Sequence, residues 1–240
     1  MKTTTAPPNN ETAGLNKYGV RRIIQVLSGV LIIGVTLFLS AGRLDWWPAW
    51  IYLGVYILLL VYNSLTLMRN NPDMINERGR MAKNQKIWDR VIMAIYLPLS
   101  LSVMALAGLD SGRFGWSSMP LWGNIAGFIL VTLSYLLIYS TMRTNAFLST
   151  VVRIQDERGH QVVSSGPYRY VRHPMYAGMP ALWLGTCIFL GSWWALIPGI
   201  LIIILFIVRT ALEDKMLQEE LPGYIEYTQQ TQYRLLPYVW

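Results

Sequence analysis

Ile23–Ala41 reads IIQVLSGVLIIGVTLFLSA, nineteen residues without one Asp, Glu, Lys or Arg. A helix that crosses a hydrocarbon core of about 30 Å needs about 20 such residues. Outward from it, the same character recurs in Trp46–Met68, Val91–Leu109 and Leu121–Met142. Two shorter apolar stretches follow, Met175–Leu190 and Trp193–Val208, joined by Gly191-Ser192. Each rises only about 24 Å at 1.5 Å per residue, so a tight helical hairpin is expected there. Their prolines, Pro180 and Pro198, are tolerated in lipid where neighbouring helices or a cavity satisfy the freed carbonyls. The expected fold class is all-α: a polytopic integral membrane protein of about six transmembrane helices. Its fifth and sixth spans form the short hairpin, and a cytoplasmic helix follows them. Domain boundaries are expected at 1–19 for a disordered cytoplasmic arm, 20–120 for spans one to three, and 121–240 for the remainder.

Composition agrees with that reading. Hydrophobic residues make up 53% and charged residues 14%, against roughly 25% charged in a soluble domain. A soluble fold could not hide so much apolar surface, and a disordered chain needs the opposite balance. The single cysteine, Cys187, excludes a disulfide scaffold and falls mid-span, where it reads as a packing residue. Two histidines, His160 and His173, argue against a metal centre, and none is expected. The first span lacks a small-residue cleavage site and belongs to a series, so it is read as a span rather than a signal peptide.

The net charge of +7 is a topology signal. Eighteen of the twenty basic residues fall on alternate loops, and only Arg43 and Arg113 fall on the others. The positive-inside rule makes the rich side cytoplasmic, with both termini there. No basic run is interleaved with stacking aromatics, so a nucleic-acid partner is not expected. The partner is the bilayer itself, of the cell inner membrane or endoplasmic reticulum type. Tryptophans such as Trp46, Trp47, Trp50, Trp116, Trp122, Trp193, Trp194 and Trp240 gather at span ends, as an interfacial belt does. The charged loop Arg69–Lys86 is expected to lie on the anionic leaflet, with a cap over the site as the other reading.

Polar chemistry concentrates in 143–178 and 209–240, which flank the hairpin and are brought together when it folds. Gly166-Pro167 marks a turn. Arg169, Arg172 and His173 precede Pro174, which suits the first turn of a helix whose free N–H groups can meet an anion. Ordinary juxtamembrane anchoring explains these residues equally well. Arg209 and Glu213 stand one helical turn apart at the end of the last span. They read either as a surface ion pair or as a guanidinium and carboxylate at a cavity mouth. Asp214 lies about 100° further round and faces elsewhere.

The stretch GPYRYVRHPMYAG, Gly166–Gly178, resembles the signature of the isoprenylcysteine carboxyl methyltransferase family. Arg209-x-x-x-Glu213-Asp214-x-x-Leu217, Leu221-Pro222-Gly223-Tyr224-x-x-Tyr227 and Tyr233-Arg234-Leu235-Leu236-Pro237 resemble that family's closing block, and Gly159-His160-Gln161-Val162-Val163 is similar to the stretch before the signature. The resemblance covers about residues 120–240. It implies an integral membrane enzyme that uses S-adenosylmethionine, with cofactor-binding segments 159–178 and 209–237. Carried over, Gln161, Val163, Gly166, Tyr168, Arg172, His173, Pro174, Tyr176 and Gly178 line the cofactor pocket, and Tyr224 and Tyr227 close it. Arg209 and Glu213 are the implied catalytic residues, at the acceptor. The family usually carries two consecutive glutamates where this chain has Glu213-Asp214. The implied acceptor is a lipophilic or small molecule, with an isoprenylcysteine-type carboxylate, a thiol and a phospholipid amine all open.

Membrane sterol reductases that bind NADPH carry a similar RHP-x-Y motif. They place Asn and an acidic residue where Met175 and Met179 stand here, so the methyltransferase resemblance is the better one. A non-catalytic membrane protein such as a transporter would show symmetry between its halves. Here the polar features all lie in the second half.

Overall fold

The structure is a computed structural model and describes residues 14–80 and 84–240. Residues 1–13 of the expected arm lie outside the described residues, as does Lys83 of the basic count. The arm is shorter than expected at its other end. Helix α1 spans Lys17–Ala41, because Asn16 caps it by accepting from the Tyr18 and Gly19 amides at 2.9 and 3.4 Å. Residues 17–19 are therefore helical.

Helix α2 (Trp47–Asn70) has Pro48 in its first turn, and Asn71 caps the short α3 (Pro72–Gly79). Helix α4 (Ile87–Ala107) runs on through a π-helical turn, Gly108–Phe114. Helices α5 (Leu121–Thr144), α6 (Pro174–Phe189), α7 (Leu196–Glu220) and α8 (Tyr224–Gln230) follow. The described residues contain no strand, so the all-α expectation holds.

Five helices are long and apolar enough to cross a membrane: α1, α2, α4 with its π turn, α5 and α7. The hairpin differs from the expectation of two short arms. Its first arm, α6, is short at 16 residues, but α7 has 25 and continues twelve residues past Val208. The buried charges after Val208, Arg209 and Asp214, do not end the helix because partners from elsewhere in the chain neutralise them, as described below. It stops at Leu221, where Pro222 disfavours helical backbone and Gly223 takes φ 82°.

The chain alternates direction, so α1, α4 and α6 begin, and α2, α5 and α7 finish, at one end of the bundle. At the opposite end the Asp110 carboxylate is fully buried. It accepts from the Ser117 amide at 2.7 Å and from the Ser117 and Ser192 hydroxyls at 2.6 Å each, which staples the π turn to the α6–α7 turn. Trp47, Trp50, Trp116, Trp122, Trp193 and Trp194 are exposed near that end, whereas Trp46 is buried. Trp240 belongs to the other end, where Arg234 lies 5.0 Å from its ring centre.

Helices α5 and α6 form the closest pair. A Cβ on Gly185 would lie 2.8 Å from Leu130 Cβ, and one on Gly127 would collide with the Phe189 backbone. Small residues that let backbones approach replace the hydrophobic driving force that lipid cannot supply. Leu37, Val103, Cys187 and Ile202 form the centre of the bundle. Helix α2 stands further from α5. Between them Tyr52, Val55, Tyr56, Phe128, Val131, Tyr135 and Phe189 line an apolar hollow.

Candidate active site

The segment 145–173 has no regular structure beyond two 3-10 turns, Asp156–Arg158 and Gly166–Arg169. Tertiary bonds hold it instead. Asn145 Nδ2 donates to the Tyr168 hydroxyl at 2.8 Å. The Arg172 and His173 amides donate to the Tyr233 and Arg234 carbonyls, both at 2.9 Å. That pair of bonds zips the two polar blocks together where α6 begins.

Asp214 is the hub of the joint. Its carboxylate has no solvent exposure. It accepts from Arg172 Nε at 2.7 Å, Arg172 Nη2 at 3.1 Å, Arg234 Nε at 2.9 Å and Gln218 Nε2 at 2.8 Å. The Tyr224 hydroxyl donates to it at 3.1 Å, and His173 Nε2 lies 3.2 Å away. Burial, and then Asp214, hold the Tyr224 hydroxyl far above its ordinary pKa. Arg172 spends its remaining nitrogen on the Thr231 and Gln232 carbonyls. It therefore builds the wall, with four of its five N–H donors already spent on protein partners.

A second buried pair lies deeper. Arg209 donates from Nε to Asp89 of α4 at 2.8 Å, and from Nη2 to the Thr150 carbonyl at 3.3 Å. Asp89 is fully buried and also accepts from the Val152 amide at 2.9 Å and Gln85 Nε2 at 3.0 Å. The Arg209 guanidinium lies 5.2 Å from the Tyr176 ring centre. The Tyr176 hydroxyl donates to Glu213 at 2.6 Å. Arg209 and Glu213 are thus linked through Tyr176, and each has a stronger partner than the other.

A cavity opens between these walls. Gln161, Val163, Tyr168, Arg172, His173, Tyr176, Glu213, Tyr224 and Tyr227, all named from the sequence, line it. Tyr227 donates to the Tyr168 carbonyl at 2.7 Å, and burial pushes its pKa up to about 12. Four of the expected residues are not in the lining. Gly166 packs on Thr144 with φ 57°, and Pro174 opens α6. Gly178 faces Ile138 and Ser134 of α5, and Arg209 sits behind Tyr176.

The sequence reading missed His160, Phe147, Asp89 and the hub role of Asp214. His160 lines the cavity with its ring on Phe147, and its Nδ1 has no partner. Burial, with Arg158 and Arg153 adding repulsion, lowers its pKa to about 4. Asp89 carries one sequence signal, an acid at the threshold of an apolar span. The loop 69–86 brings α3 against the outside of the wall. Glu77 accepts from Arg153 at 2.7 Å, and Arg78 Nε donates to the Leu148 carbonyl at 3.4 Å.

The arrangement offers a cleft of mixed polar and apolar lining, with one carboxylate, Glu213, fixed in its wall and its cations already paired. A search of curated proteins finds no match to the chain. A family model, phospholipid methyltransferase, matches residues 122–222, which contain the first block and most of the second. That family is related to the isoprenylcysteine carboxyl methyltransferases. On that match and its apolar helices, the protein is a membrane methyltransferase acting on phospholipid or related lipophilic substrates.

Proposed function

We propose that the cavity binds S-adenosylmethionine and that Glu213 receives a lipid amine at its inner end. The cavity suits such a cofactor. Val162, Val163, Leu217, Leu221 and Tyr224 give an apolar wall for a purine, and the unpartnered His160 Nδ1 offers a polar contact inside it. When bound, the cofactor supplies a methyl group on a cationic sulfur, and the electron pair of the breaking S–C bond returns to that sulfur.

The chain's own residues supply orientation and proton transfer. Orientation alone can contribute roughly 7–11 kcal/mol. The observation that carries the choice of acceptor is Glu213, fixed by Tyr176 at 2.6 Å and lining the cavity. A carboxylate there repels an anionic nucleophile and attracts an ammonium group. Glu213 accepts one proton from that ammonium, which frees the nitrogen lone pair to form the new N–C bond. Arg209 acts one step back. Its charge is met by Asp89, and its guanidinium holds the Tyr176 ring. The end of the bundle that carries the cavity faces the cytoplasm, a reading supported by the basic residues clustered there.

The test uses the full chain in detergent. S-adenosylhomocysteine should raise the melting temperature and NADPH should not. Methyl transfer to a phospholipid amine should fall at least about 100-fold in Glu213→Gln, about 2.7 kcal/mol of transition-state stabilisation. A rise with NADPH alone, or near-normal turnover in that variant, overturns the assignment.

A further inference from the structure

Arg209 cannot be the cation that holds an anionic acceptor, because Asp89 already meets its charge. Two other part-buried guanidiniums that lie close together are unmet. Among the described residues Arg22 of α1 and Arg78 of α3 have no carboxylate partner. Arg78 has only the Leu148 carbonyl at 3.4 Å and Met142 Sδ at 3.7 Å. The two arginines meet at one junction: a Cβ on Gly79, next to Arg78, would lie 3.2 Å from Arg22 Cβ. Burial, and then the Arg22 guanidinium, lower the Arg78 pKa to about 10. Like charges gathered in a partly desolvated place are costly unless an anion joins them.

The surroundings fit an amphiphile. Asn63 of α2 reaches the same Met142 sulfur, at 3.5 Å, and its Oδ1 is buried with no partner. Tyr139 of α5 likewise buries a hydroxyl with none. Further along α2 and α5 lies the apolar hollow walled by Tyr56 and Tyr135. Leu148, whose carbonyl Arg78 holds, is itself part of the cavity lining.

We propose that Arg22 and Arg78 form a binding site for the phosphate of a phospholipid headgroup. The phosphate diester bridges the two guanidinium forks, whose geometry matches its oxygens. The acyl chains follow the α2–α5 hollow, and the headgroup amine reaches past Leu148 towards Glu213. The acceptor role rests on the methyl-transfer reading above; the binding site does not.

The experiment measures binding of a short-chain phosphatidylethanolamine to the full chain in nonionic detergent. Diacylglycerol of the same chain length and inorganic phosphate alone serve as comparison probes. Arg22→Gln and Arg78→Gln should each weaken phospholipid binding at least about 10-fold, the scale of a lost charged hydrogen bond. Diacylglycerol binding and S-adenosylhomocysteine affinity should stay within about twofold. Arg21→Gln and Arg69→Gln remove exposed cations at the same end and should also change little. Arg78→Lys, which keeps the charge and the fold, should fall between. Arginine variants that match the exposed controls overturn the site. Equal binding of inorganic phosphate and phospholipid overturns the lipid assignment. Arginine-dependent lipid binding in a protein that methylates no acceptor keeps the site and sinks the methyl-transfer reading.

Discussion

The Asp214 carboxylate meets Arg172, Arg234, Gln218 and Tyr224 without touching water. Removing one charge of such a group costs more than the group as a whole contributes, because the partner stays buried and unpaired. Asp214→Asn should therefore lower stability by about 3–5 kcal/mol. It should also loosen S-adenosylhomocysteine binding, since Arg172, His173 and Tyr224 all lean on it while lining the cavity. A melting temperature equal to wild type would show that the arginines find other acceptors. His160 allows a test by pH. Folded, its pKa sits at about 4; unfolded, it returns to about 6.5. Between those values the unfolded chain takes up a proton that the folded chain refuses. Stability is therefore present above about 6.5 and is lost as pH falls towards 4. The drop in melting temperature across that window should shrink in His160→Gln, and an undiminished drop would remove His160 as its cause.

At the scale of elements, Asp89 joins α4 to α7 and to the cavity wall at Val152. Asp89→Asn keeps the shape but strands the Arg209 charge. It should lower kcat through Tyr176 and Glu213 while cofactor affinity, measured separately, holds. A purely structural role would instead move stability and cofactor binding together and spare the chemistry. Gly185→Val pushes α6 off Leu130 of α5 and should lower the melting temperature and unseat Tyr176. Normal stability in that variant would mean the two helices can part freely. The helices themselves were legible because an apolar run of span length carries its meaning locally. The end of α7 was not, because the partners of Arg209 and Asp214 lie 120 and 42 residues away in sequence. The one-turn spacing of Arg209 and Glu213 suggested an ion pair, but each found a better partner on another element. The lining residues of the two blocks were legible through the family motif. Phe147 and His160 were not, because an irregular segment has no period that says which side chain points inward.

At the scale of the whole molecule, the alternation of helices makes a topological prediction. Reporters fused after residues 80, 155 and 240 should lie on one side, and those after 42, 112 and 192 on the other. Opposite sides for 155 and 240 would separate the two blocks and dissolve the site. The zipper between 172–173 and 233–234 carries a consequence for biosynthesis. While the chain is being made, the apolar helices can enter the bilayer one after another, each complete in itself. Asp214 emerges some twenty residues before Arg234, and until 233–234 follow, the Arg172 and His173 amides have no carbonyls to meet. A ribosome stalled near residue 220 should leave a nascent chain that is membrane-inserted and resistant to extraction, yet unable to retain S-adenosylhomocysteine. Release of the last twenty residues, not insertion of the last helix, is then the moment the enzyme is born.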